Sequence, residues 1–427
     1  MKSFVIRPAR SLQGRVDFPG DKSIAHRAVI FSALSSGKTS LKNFPSNDDC
    51  LATLKAFRQL GIRSVLGKDS AMIYGRGPFG LSKPHRPVYL SESGTSFRLL
   101  LGVLAGQDFR VTLTAGRSLS GRPMARVAVP LRRMGAEIKS RFKRLESKIE
   151  EFPPVTIHGG RLKGITYKMP VASAQVKSAI LLAGLYADGK TRVIEPVATR
   201  DHTERMLRVF GGKRLVSPRS IYIPGDISSA AFFMVAGTLI PGSKITIRKV
   251  SLNPGRIGAL KALKRMGANI KVKDQESKIR NAEPVGDIAV QFSGLMGVKI
   301  RKNEIPALID ELPVLMVAAS LAKGISVFEG VGELRIKETD RIRAMVDNLK
   351  KMGAEIKVRR SKSGENIIIR GVKTLKGTRV KSFGDHRTAM SLIVAGLAAK
   401  GTTRIDDVSC ISKSFPDFLK AIYSLKK

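Results

Sequence analysis

Several residue types are scarce in this chain of 427 residues. It contains no tryptophan, six tyrosines and two cysteines, Cys50 and Cys410. Two cysteines argue against a disulfide framework or a cysteine-based metal site. The five histidines are scattered without metal-ligand spacing, so we expect no bound metal. With so few aromatic side chains, no stacking platform for single-stranded nucleic acid is evident.

Acidic residues are also few, and long apolar runs are missing. The chain has 76 Lys and Arg against 34 Asp and Glu, a formal net charge of +42. This excess favours anionic partners, either nucleic acid or phosphorylated metabolites, although it is spread along the whole chain. The longest nearly apolar run, residues 230–242, is too short to span a bilayer, and the N-terminus lacks a signal-peptide core. We therefore expect a cytoplasmic protein that binds no membrane and needs no nucleic acid.

The length favours two domains, and the main signal of organisation is internal repetition. Six segments are apolar nearly all round, end in glycine and precede a short β-prone run, which predicts six buried helices. They are Lys22–Gly37, Ser93–Gly106, Ser173–Gly189, Ser228–Gly242, Asp310–Gly324 and Arg387–Gly401. An amphipathic helix is predicted later in each unit. Three of these end in Met-Gly-Ala, at Met134, Met266 and Met352, and Leu60-Gly61 and Phe210-Gly211 are weaker copies. In each copy we predict that the glycine caps the helix and that a strand follows.

The repeats predict two similar halves of three units each. Pro19-Gly20-Asp21-Lys22-Ser23 and Pro224-Gly225-Asp226-Ile227-Ser228 are near copies, and both follow strand-like runs. Pro-Gly suits a turn or hinge. We therefore predict one domain at residues 21–224 and a second formed by 1–20 plus 225–427, with crossings near 19–21 and 224–226.

Charged residues cluster at the predicted helix starts. If the segment from Leu334 to Ile342 opens a helix, Lys337 and Arg341 lie four apart on one face, with Glu338 one turn before Arg341. Lys22, Ser23 and Arg27 open the first helix, and Arg122 is predicted to begin an amphipathic one. Further polar groups lie at Gly94-Thr95, Ser173-Ala174-Gln175, Asp385-His386-Arg387 and Lys413. Helix N-termini bind phosphate and carboxylate, although each residue alone is also typical of a cap or a solvated charge.

Six motifs, taken together and in this order, resemble the 5-enolpyruvylshikimate-3-phosphate (EPSP) synthase family over essentially the whole chain. They are Gly-Asp-Lys22-Ser23-Ile-Ala-His-Arg27, Ser-Gly94-Thr95, Arg122-Pro-Met, Ser173-Ala174-Gln175-Val-Lys-Ser, Lys337-Glu338-Thr-Asp-Arg341 and Asp-His386-Arg387. The resemblance implies a mixed α/β (α+β) fold of two pseudo-threefold domains, each with three βαβαββ units, and an active site in the cleft between them. It implies no cofactor, and a monomer is expected.

The resemblance also implies the reaction. Members of this family transfer the enolpyruvyl group of phosphoenolpyruvate to the 5-hydroxyl of shikimate 3-phosphate and release phosphate, a step towards chorismate and the aromatic amino acids. The expected enzyme is therefore a 3-phosphoshikimate 1-carboxyvinyltransferase whose partners are these two small molecules. Two alternatives remain: a transferase of enolpyruvate to UDP-N-acetylglucosamine, and a basic nucleic-acid-binding protein. The first usually has a reactive cysteine in a mobile loop and lacks the Lys-Glu-Thr-Asp-Arg and Asp-His-Arg motifs in this form.

Site residues follow from the resemblance, position by position. The catalytic residues implied are Asp310, Glu338 and Lys22. Those implied for shikimate 3-phosphate are Lys22, Ser23, Arg27, Ser173, Ala174, Gln175, Arg200, Asp310 and Lys337. Those implied for phosphoenolpyruvate are Lys22, Gly94, Arg122, Gln175, Arg341, Arg387 and Lys413. In two places the assignment stays open: Glu92 replaces the family's usual asparagine, and Glu311 could take the role of Asp310.

Overall fold

The computed structural model describes residues 3–145, 148–275, 282–361 and 364–427 of the chain. The chain divides into two compact units. The first unit is Gly20–Ile223, together with a short segment that ends at Glu283. The second unit contains residues up to Pro19 and those from Pro224 onwards, apart from that segment. The chain therefore passes from one unit to the other after Pro19 and again before Pro224.

Within the described residues the fold contains twelve α-helices. They are α1 (Lys22–Leu34), α2 (Asp48–Gln59), α3 (Gly94–Leu104), α4 (Ala125–Met134), α5 (Ala174–Ala183), α6 (His202–Val209), α7 (Ile227–Leu239), α8 (Gly258–Arg265), α9 (Leu312–Ser320), α10 (Arg341–Lys351), α11 (His386–Ala398) and α12 (Phe418–Leu425). Short 3-10 segments occur at Leu119–Gly121, Gly212–Arg214, Ile305–Ala307, Gly332–Ile336 and Ser409–Lys413. All six predicted apolar helices are present, as the odd-numbered helices, and their side chains are mostly buried.

The same residues form 23 strands. In the first unit they are β3 (Ser36–Lys42), β4 (Arg63–Leu66), β5 (Ser70–Arg76), β6 (Val88–Tyr89), β7 (Arg110–Thr114), β8 (Glu137–Leu145), β9 (Lys148–His158), β10 (Leu162–Lys163), β11 (Thr166–Lys168), β12 (Ala187–Asp188), β13 (Arg192–Ile194) and β14 (Ser220–Tyr222). In the second unit they are β1 (Phe4–Ile6), β2 (Gln13–Asp17), β15 (Lys244–Ser251), β16 (Asn269–Gln275), β17 (Val285–Gln291), β18 (Lys299–Ile300), β19 (Ile325–Phe328), β20 (Glu355–Ser361), β21 (Gly364–Arg370), β22 (Arg379–Val380) and β23 (Thr403–Ile405).

Four sheets share one strand order, and each unit contains two of them. In each sheet the first two strands are parallel, and the third strand pairs antiparallel with both the second and the fourth. The orders are β14-β3-β5-β4, β6-β7-β9-β8, β2-β15-β17-β16 and β18-β19-β21-β20. The third copy in each unit has shorter strands, β10 with β12 and β11 with β13 in the first unit and β1-β23-β22 in the second. The mixed α/β prediction is confirmed, with a reduced third repeat.

The glycines that follow the apolar helices do not end them. These helices stop two to six residues earlier, as α1 does at Leu34, and Gly37 then lies inside β3. Five of the six predicted end glycines have positive φ, and four of these, Gly189, Gly242, Gly324 and Gly401, lie in the turn before the next strand. The three Met-Gly-Ala copies behave as predicted, because a glycine of positive φ follows each helix and a strand begins two residues later. After Phe210-Gly211 the expected strand is wrong, since a 3-10 segment follows.

Two predicted helix starts are also wrong. Arg122 lies in extended backbone after a 3-10 turn, and α4 begins three residues later, at Ala125. Lys337 is likewise extended, between the Gly332–Ile336 segment and α10. Asp340 caps α10 by accepting the N–H of Arg343 at 3.0 Å, and this cap starts the helix later than the charge pattern suggested.

Each unit has its own hydrophobic core around three buried helices. In the second unit α7, α9 and α11 pack on one another, and in the first unit α1, α3 and α5 hold the corresponding place. The contact of α3 with α5 is especially close at Gly102. A Cβ atom at this position would lie 2.2 Å from the carbonyl oxygen of Ala179. Backbone therefore packs on backbone here, and the close approach needs a glycine.

We predict that Gly102→Ala destabilises the protein by about 1–3 kcal/mol, the usual cost of overpacking a core. In an open helix the same change would stabilise by about 1 kcal/mol. Chemical denaturation followed by circular dichroism measures the difference. Gly332→Ala is the control, because a Cβ there would meet nothing within 4 Å. A Gly102→Ala protein as stable as the wild type would contradict the packing described here.

Candidate active site

In the first unit, side chains from the starts of α1, α3 and α5 meet. Arg27 of α1 donates from its Nη2 atom to the Ser178 hydroxyl of α5 at 2.6 Å. Gln175 of α5 donates from Nε2 to the Thr95 hydroxyl of α3 at 2.9 Å. The three N-terminal ends therefore share one region, where their free N–H groups and partial positive charges favour an anion.

Four predicted residues lie together at the start of α1. Arg27 donates to the backbone oxygen of Ser23 at 2.7 Å, and Arg200 donates to the Ser23 hydroxyl at 3.2 Å. Burial and the nearby charge of Arg200 lower the pKa of Arg27 to about 10. Lys22 pairs with Asp49 of α2, with Nζ 2.8 Å from Oδ2. The structure thus brings Ser23, Arg27 and Arg200 into contact, with Lys22 next to Ser23 in the chain.

A chain of buried polar groups connects α1 to the start of α3. His26 Nδ1 lies 2.6 Å from the Thr53 hydroxyl, which lies 2.6 Å from the Ser96 hydroxyl. Ser96 is in turn 2.6 Å from the hydroxyl of Ser93, the N-cap of α3. Burial, then the charges of Lys22 and Arg27, holds the pKa of His26 well below its usual value. A neutral imidazole therefore anchors the hydroxyl chain that positions Gly94.

Gly94 borders two guanidinium groups. A Cβ atom at this position would lie 3.0 Å from Arg122 Nη1 and 3.2 Å from Arg98 Nη1. Arg98 donates to Gln175 Oε1 at 2.6 Å and to the Pro123 carbonyl at 3.1 Å. Arg98 thus lies beside Gly94 and joins Gln175 to the backbone next to Arg122, although the sequence did not point to it. Its position four residues after Gly94 on an apolar helix was the available signal.

Glu92 has a structural role in this unit. Its carboxylate accepts the N–H of Leu119 at 2.7 Å and that of Ser118 at 3.3 Å. These bonds fix the 3-10 turn that leads to Arg122. An acid near an expected phosphoenolpyruvate site is therefore explained by the loop it supports.

In the second unit, the starts of α7, α9 and α11 also meet. Arg387 of α11 donates to the carbonyl oxygen of Asp310 at 2.8 Å, just before α9. Ser228 of α7 donates to the carboxylate of Glu311, and Arg256 donates to Asp226, the N-cap of α7, at 3.2 Å. Each unit therefore gathers the N-terminal ends of its three buried helices.

Arg341 is the most constrained cation of this group. Its side chain is 1% exposed, and it contacts Asp385 at 2.9 Å, Glu338 at 2.5 Å and Asp310 at 3.6 Å. Burial alone would lower its pKa, but the three carboxylates outweigh burial and raise it. Lys337 also lies 3.8 Å from Asp310 Oδ1. Lys337 and Arg341 therefore converge on one carboxylate without sharing a helical face.

The geometry distinguishes Asp310 from Glu311. Glu311 is buried, bonded to Ser228 and 4.0 Å from Arg387. The Asp310 side chain is 18% exposed and faces Lys337 and Arg341. Asp310 is therefore the more accessible of the two to a substrate, while Glu311 joins the start of α9 to Ser228 at the start of α7.

The remaining predicted residues occupy the same helix ends. Ser173 caps α5 by accepting the N–H of Val176, and Ala174 and Gln175 form its first turn. His386 begins α11 and is buried. Lys413 ends a 3-10 segment and donates to the Gly384 carbonyl at 3.2 Å, which brings it beside Asp385 and His386.

The two cysteines are expected to be poor nucleophiles. Cys50 and Cys410 are both free and buried. Burial raises the pKa of Cys50 well above its usual value and that of Cys410 to about 12, so both thiols stay protonated at neutral pH.

Among the described residues, no helix has the length and apolar character needed to cross a membrane.

Comparison with solved structures shows that the chain has the fold of the enolpyruvyl transferase and EPSP synthase structures. The chain matches the enolpyruvyl transferase NikO of Streptomyces tendae with a TM-score of 0.75, over 99% of this chain and 97% of that one. At 16% identity this match shows the fold alone. EPSP synthase of Acinetobacter baumannii matches with a TM-score of 0.85 and 41% identity, over 100% of this chain and 98% of that one.

The chain belongs to the EPSP synthase (3-phosphoshikimate 1-carboxyvinyltransferase) family, whose sequence profile matches residues 6–422. A 3-phosphoshikimate 1-carboxyvinyltransferase of Citrifermentans bemidjiense is 46% identical over 99% of both chains. One of Shouchella clausii is 44% identical over 97% of both. The predicted family, fold class and transferase activity are confirmed, and neither alternative function is favoured.

We predict that Asp385→Asn destabilises the protein by about 3–5 kcal/mol, because it leaves the Arg341 guanidinium short of a buried partner. Because asparagine can still cap the helix, the loss of stability measures the effect of removing the negative charge. Burial raises the pKa of Asp385, but the charge of Arg341 outweighs burial and holds this pKa below its usual value. The wild-type stabilisation is therefore present above about pH 4 and is lost as the pH falls below it.

Denaturation between pH 3 and pH 7 measures both effects. Asp347→Asn is the matched control, because Asp347 is 48% exposed and its ion pair with Arg343 is long, at 3.7 Å. Its free energy of unfolding is expected to change by no more than about 0.5 kcal/mol. Equal effects of the two substitutions would show that the Asp385–Arg341 pair does not stabilise the fold.

Proposed function

We propose that the two groups of helix ends act on one pair of substrates. The chain transfers the enolpyruvyl group of phosphoenolpyruvate to the 5-hydroxyl of shikimate 3-phosphate, giving 5-enolpyruvylshikimate 3-phosphate and phosphate. The observation that carries this proposal is the clustering of the family's motif residues around the starts of α1, α3 and α5 in the first unit, and around Asp310 and the starts of α10 and α11 in the second. We further propose a cytoplasmic monomer in which Pro19–Gly20 and Ile223–Pro224 act as hinges between two domains.

The substrate contacts follow the charges. For shikimate 3-phosphate we propose Lys22, Ser23, Arg27, Ser173, Ala174, Gln175, Arg200, Asp310 and Lys337. For phosphoenolpyruvate we propose Lys22, Gly94, Arg122, Gln175, Arg341, Arg387 and Lys413. Both substrates are multiply charged anions that repel each other, and guanidinium groups grip phosphate and carboxylate bidentately. The pairing of Lys22 with Asp49 orients the lysine at the start of α1.

The proton transfers require two carboxyl groups. The 5-hydroxyl oxygen attacks C2 of phosphoenolpyruvate, Asp310 takes the hydroxyl proton, and Glu338 protonates the methylene carbon to give a tetrahedral intermediate. Loss of phosphate and of one proton from the new methyl group then forms the enolpyruvyl ether. Asp310 has two cations near it, Lys337 at 3.8 Å and Arg341 at 3.6 Å, and Glu338 contacts Arg341 as well.

Orientation is expected to contribute more than either proton transfer. A positioned acid or base supplies roughly 10²–10⁴-fold, which is about 3–5 kcal/mol. Holding two reactants in a productive geometry supplies up to about 7–11 kcal/mol. Fixed helix ends suit this task, because the anchored groups do not need to reorganise as charge develops.

We predict that Lys22→Met lowers kcat/KM at least 100-fold and shifts the thermal unfolding midpoint by only a few degrees. Lys22 is proposed to contact both substrates, whereas its pair with Asp49 is partly exposed and stabilises little. Phosphate release is the measurement, and the wild type should release phosphate only when both substrates are present. Lys55→Met, on the exposed side of α2, is the control. No release by the wild type under any condition would end the proposal.

We predict that Asp310→Asn lowers kcat by about 10²–10⁴-fold, because it removes the proposed base. Glu311→Gln should instead lower the unfolding midpoint, since it disturbs the buried bond to Ser228, and leave most of the kcat of folded enzyme. Steady-state kinetics and thermal unfolding of both variants separate the two roles. A larger loss of kcat in Glu311→Gln than in Asp310→Asn would reverse the assignment.

A further inference from the structure

Lys177 is a buried cation that the proposed reaction does not use. It lies one turn inside α5, and its side chain is 5% exposed. Its Nζ atom is 2.9 Å from Glu195 Oε2 and 2.8 Å from Glu204 Oε1. A buried ammonium group is tolerated when carboxylates surround it, and here it joins two acids from different segments.

The first acid fixes the segment that leads to Arg200. Glu195 uses its other oxygen, Oε1, to accept the N–H of Thr199 at 3.1 Å, and it also accepts the Thr199 hydroxyl. The residues from Glu195 to Thr199 are thus folded around one carboxylate, which Lys177 ties to α5. Arg200 is the next residue, and its guanidinium donates to the Ser23 hydroxyl at 3.2 Å.

The second acid fixes the other side of Arg200. Glu204 lies in the first turn of α6, directly after Thr203. Thr203 accepts from Arg27 Nε at 2.7 Å and donates to the Ser178 hydroxyl of α5 at 2.7 Å. Arg200 is therefore held between two segments, both of which the ammonium group of Lys177 binds to α5.

We propose that Lys177 is a positioning residue for Arg200. Through Glu195 and Glu204 it holds residues 195–204 on α5, so that the Arg200 guanidinium stays beside Ser23 and meets the substrate's phosphate. The inference rests on the proposed role of Arg200 in binding shikimate 3-phosphate. A residue of this kind affects the affinity for that substrate and leaves phosphoenolpyruvate binding unchanged.

The test is a double-mutant cycle of Lys177→Met and Arg200→Ala in the full-length enzyme, with KM and kcat measured for each substrate. Each single variant should raise KM for shikimate 3-phosphate on the order of tenfold, the loss expected for a charged hydrogen bond. KM for phosphoenolpyruvate and kcat should stay within about threefold. In the Arg200→Ala background, Lys177→Met should raise KM for shikimate 3-phosphate by less than about twofold further, because the effects of two residues that act through each other are not additive.

Three further variants control for damage to the fold. Lys177→Arg should recover part of the affinity, and Lys190→Met, an exposed lysine after α5, should change nothing. Thr199→Val removes only the hydroxyl bond to Glu195 and should raise KM for shikimate 3-phosphate about two- to fivefold, an expectation based on one lost hydrogen bond. If Lys177→Met does not fold, Thr199→Val decides: a selective rise supports the inference, and an unchanged KM overturns it.

The outcomes separate this inference from the proposal beneath it. If Arg200→Ala raises KM for shikimate 3-phosphate but folded Lys177→Met does not, Lys177 does not position Arg200. The same conclusion follows if Lys177→Met raises KM for shikimate 3-phosphate by an equal factor in the wild type and in the Arg200→Ala variant. If Arg200→Ala itself leaves KM unchanged, the assigned role of Arg200 is wrong and the inference fails with it.

Discussion

Gathering positive charge at the ends of buried helices is the constraint on which both units depend. Two like charges 4 Å apart repel by about 4 kcal/mol at the effective dielectric constant of a protein surface. In the first unit Arg27, Arg200 and Lys22 lie around the start of α1, and Asp49 offsets part of this repulsion. The arrangement favours a ligand of opposite charge, because an anion removes repulsion that the fold otherwise carries.

The carboxylates of the second unit divide into two kinds by exposure. Asp385 and Glu311 are buried and are bonded to a helix end or to a neighbouring hydroxyl, so they hold structure in place. Asp310 and Glu338 are about one-fifth exposed and face cations from one side. A carboxyl group that exchanges protons with a substrate must be reachable, which is why we propose the partly exposed acids Asp310 and Glu338 for the proton transfers.

The site residues also differ in what holds them. Arg27, Gln175 and Arg387 lie on buried helices, whose packing fixes them. Arg122 and Arg200 lie on connecting segments, and each depends on a carboxylate that folds its loop, Glu92 in one case and Glu195 in the other. These two acids hold the segments that carry Arg122 and Arg200, the cations that we propose to bind the substrates.

The sequence by itself determined the six buried helices, the two repeated halves and the motif residues of the family. The helices and motifs are local features, because an apolar run and a short motif each lie within one helix or turn, and the halves follow from comparing such local patterns along the chain. Most of the helix starts followed from the same patterns. Arg122 and Lys337 did not, since a 3-10 turn and the Asp340 cap displaced the helices they were expected to begin.

Only the tertiary structure decided which charges meet. Three contacts join residues that are far apart in the chain. The separation is 27 residues for Lys22 with Asp49, 77 for Arg98 with Gln175 and 44 for Arg341 with Asp385. Contacts over such separations depend on how helices pack, and no local pattern records that packing. The choice of Asp310 over Glu311 has the same origin, because adjacent acids are equivalent in sequence and differ only in what surrounds them.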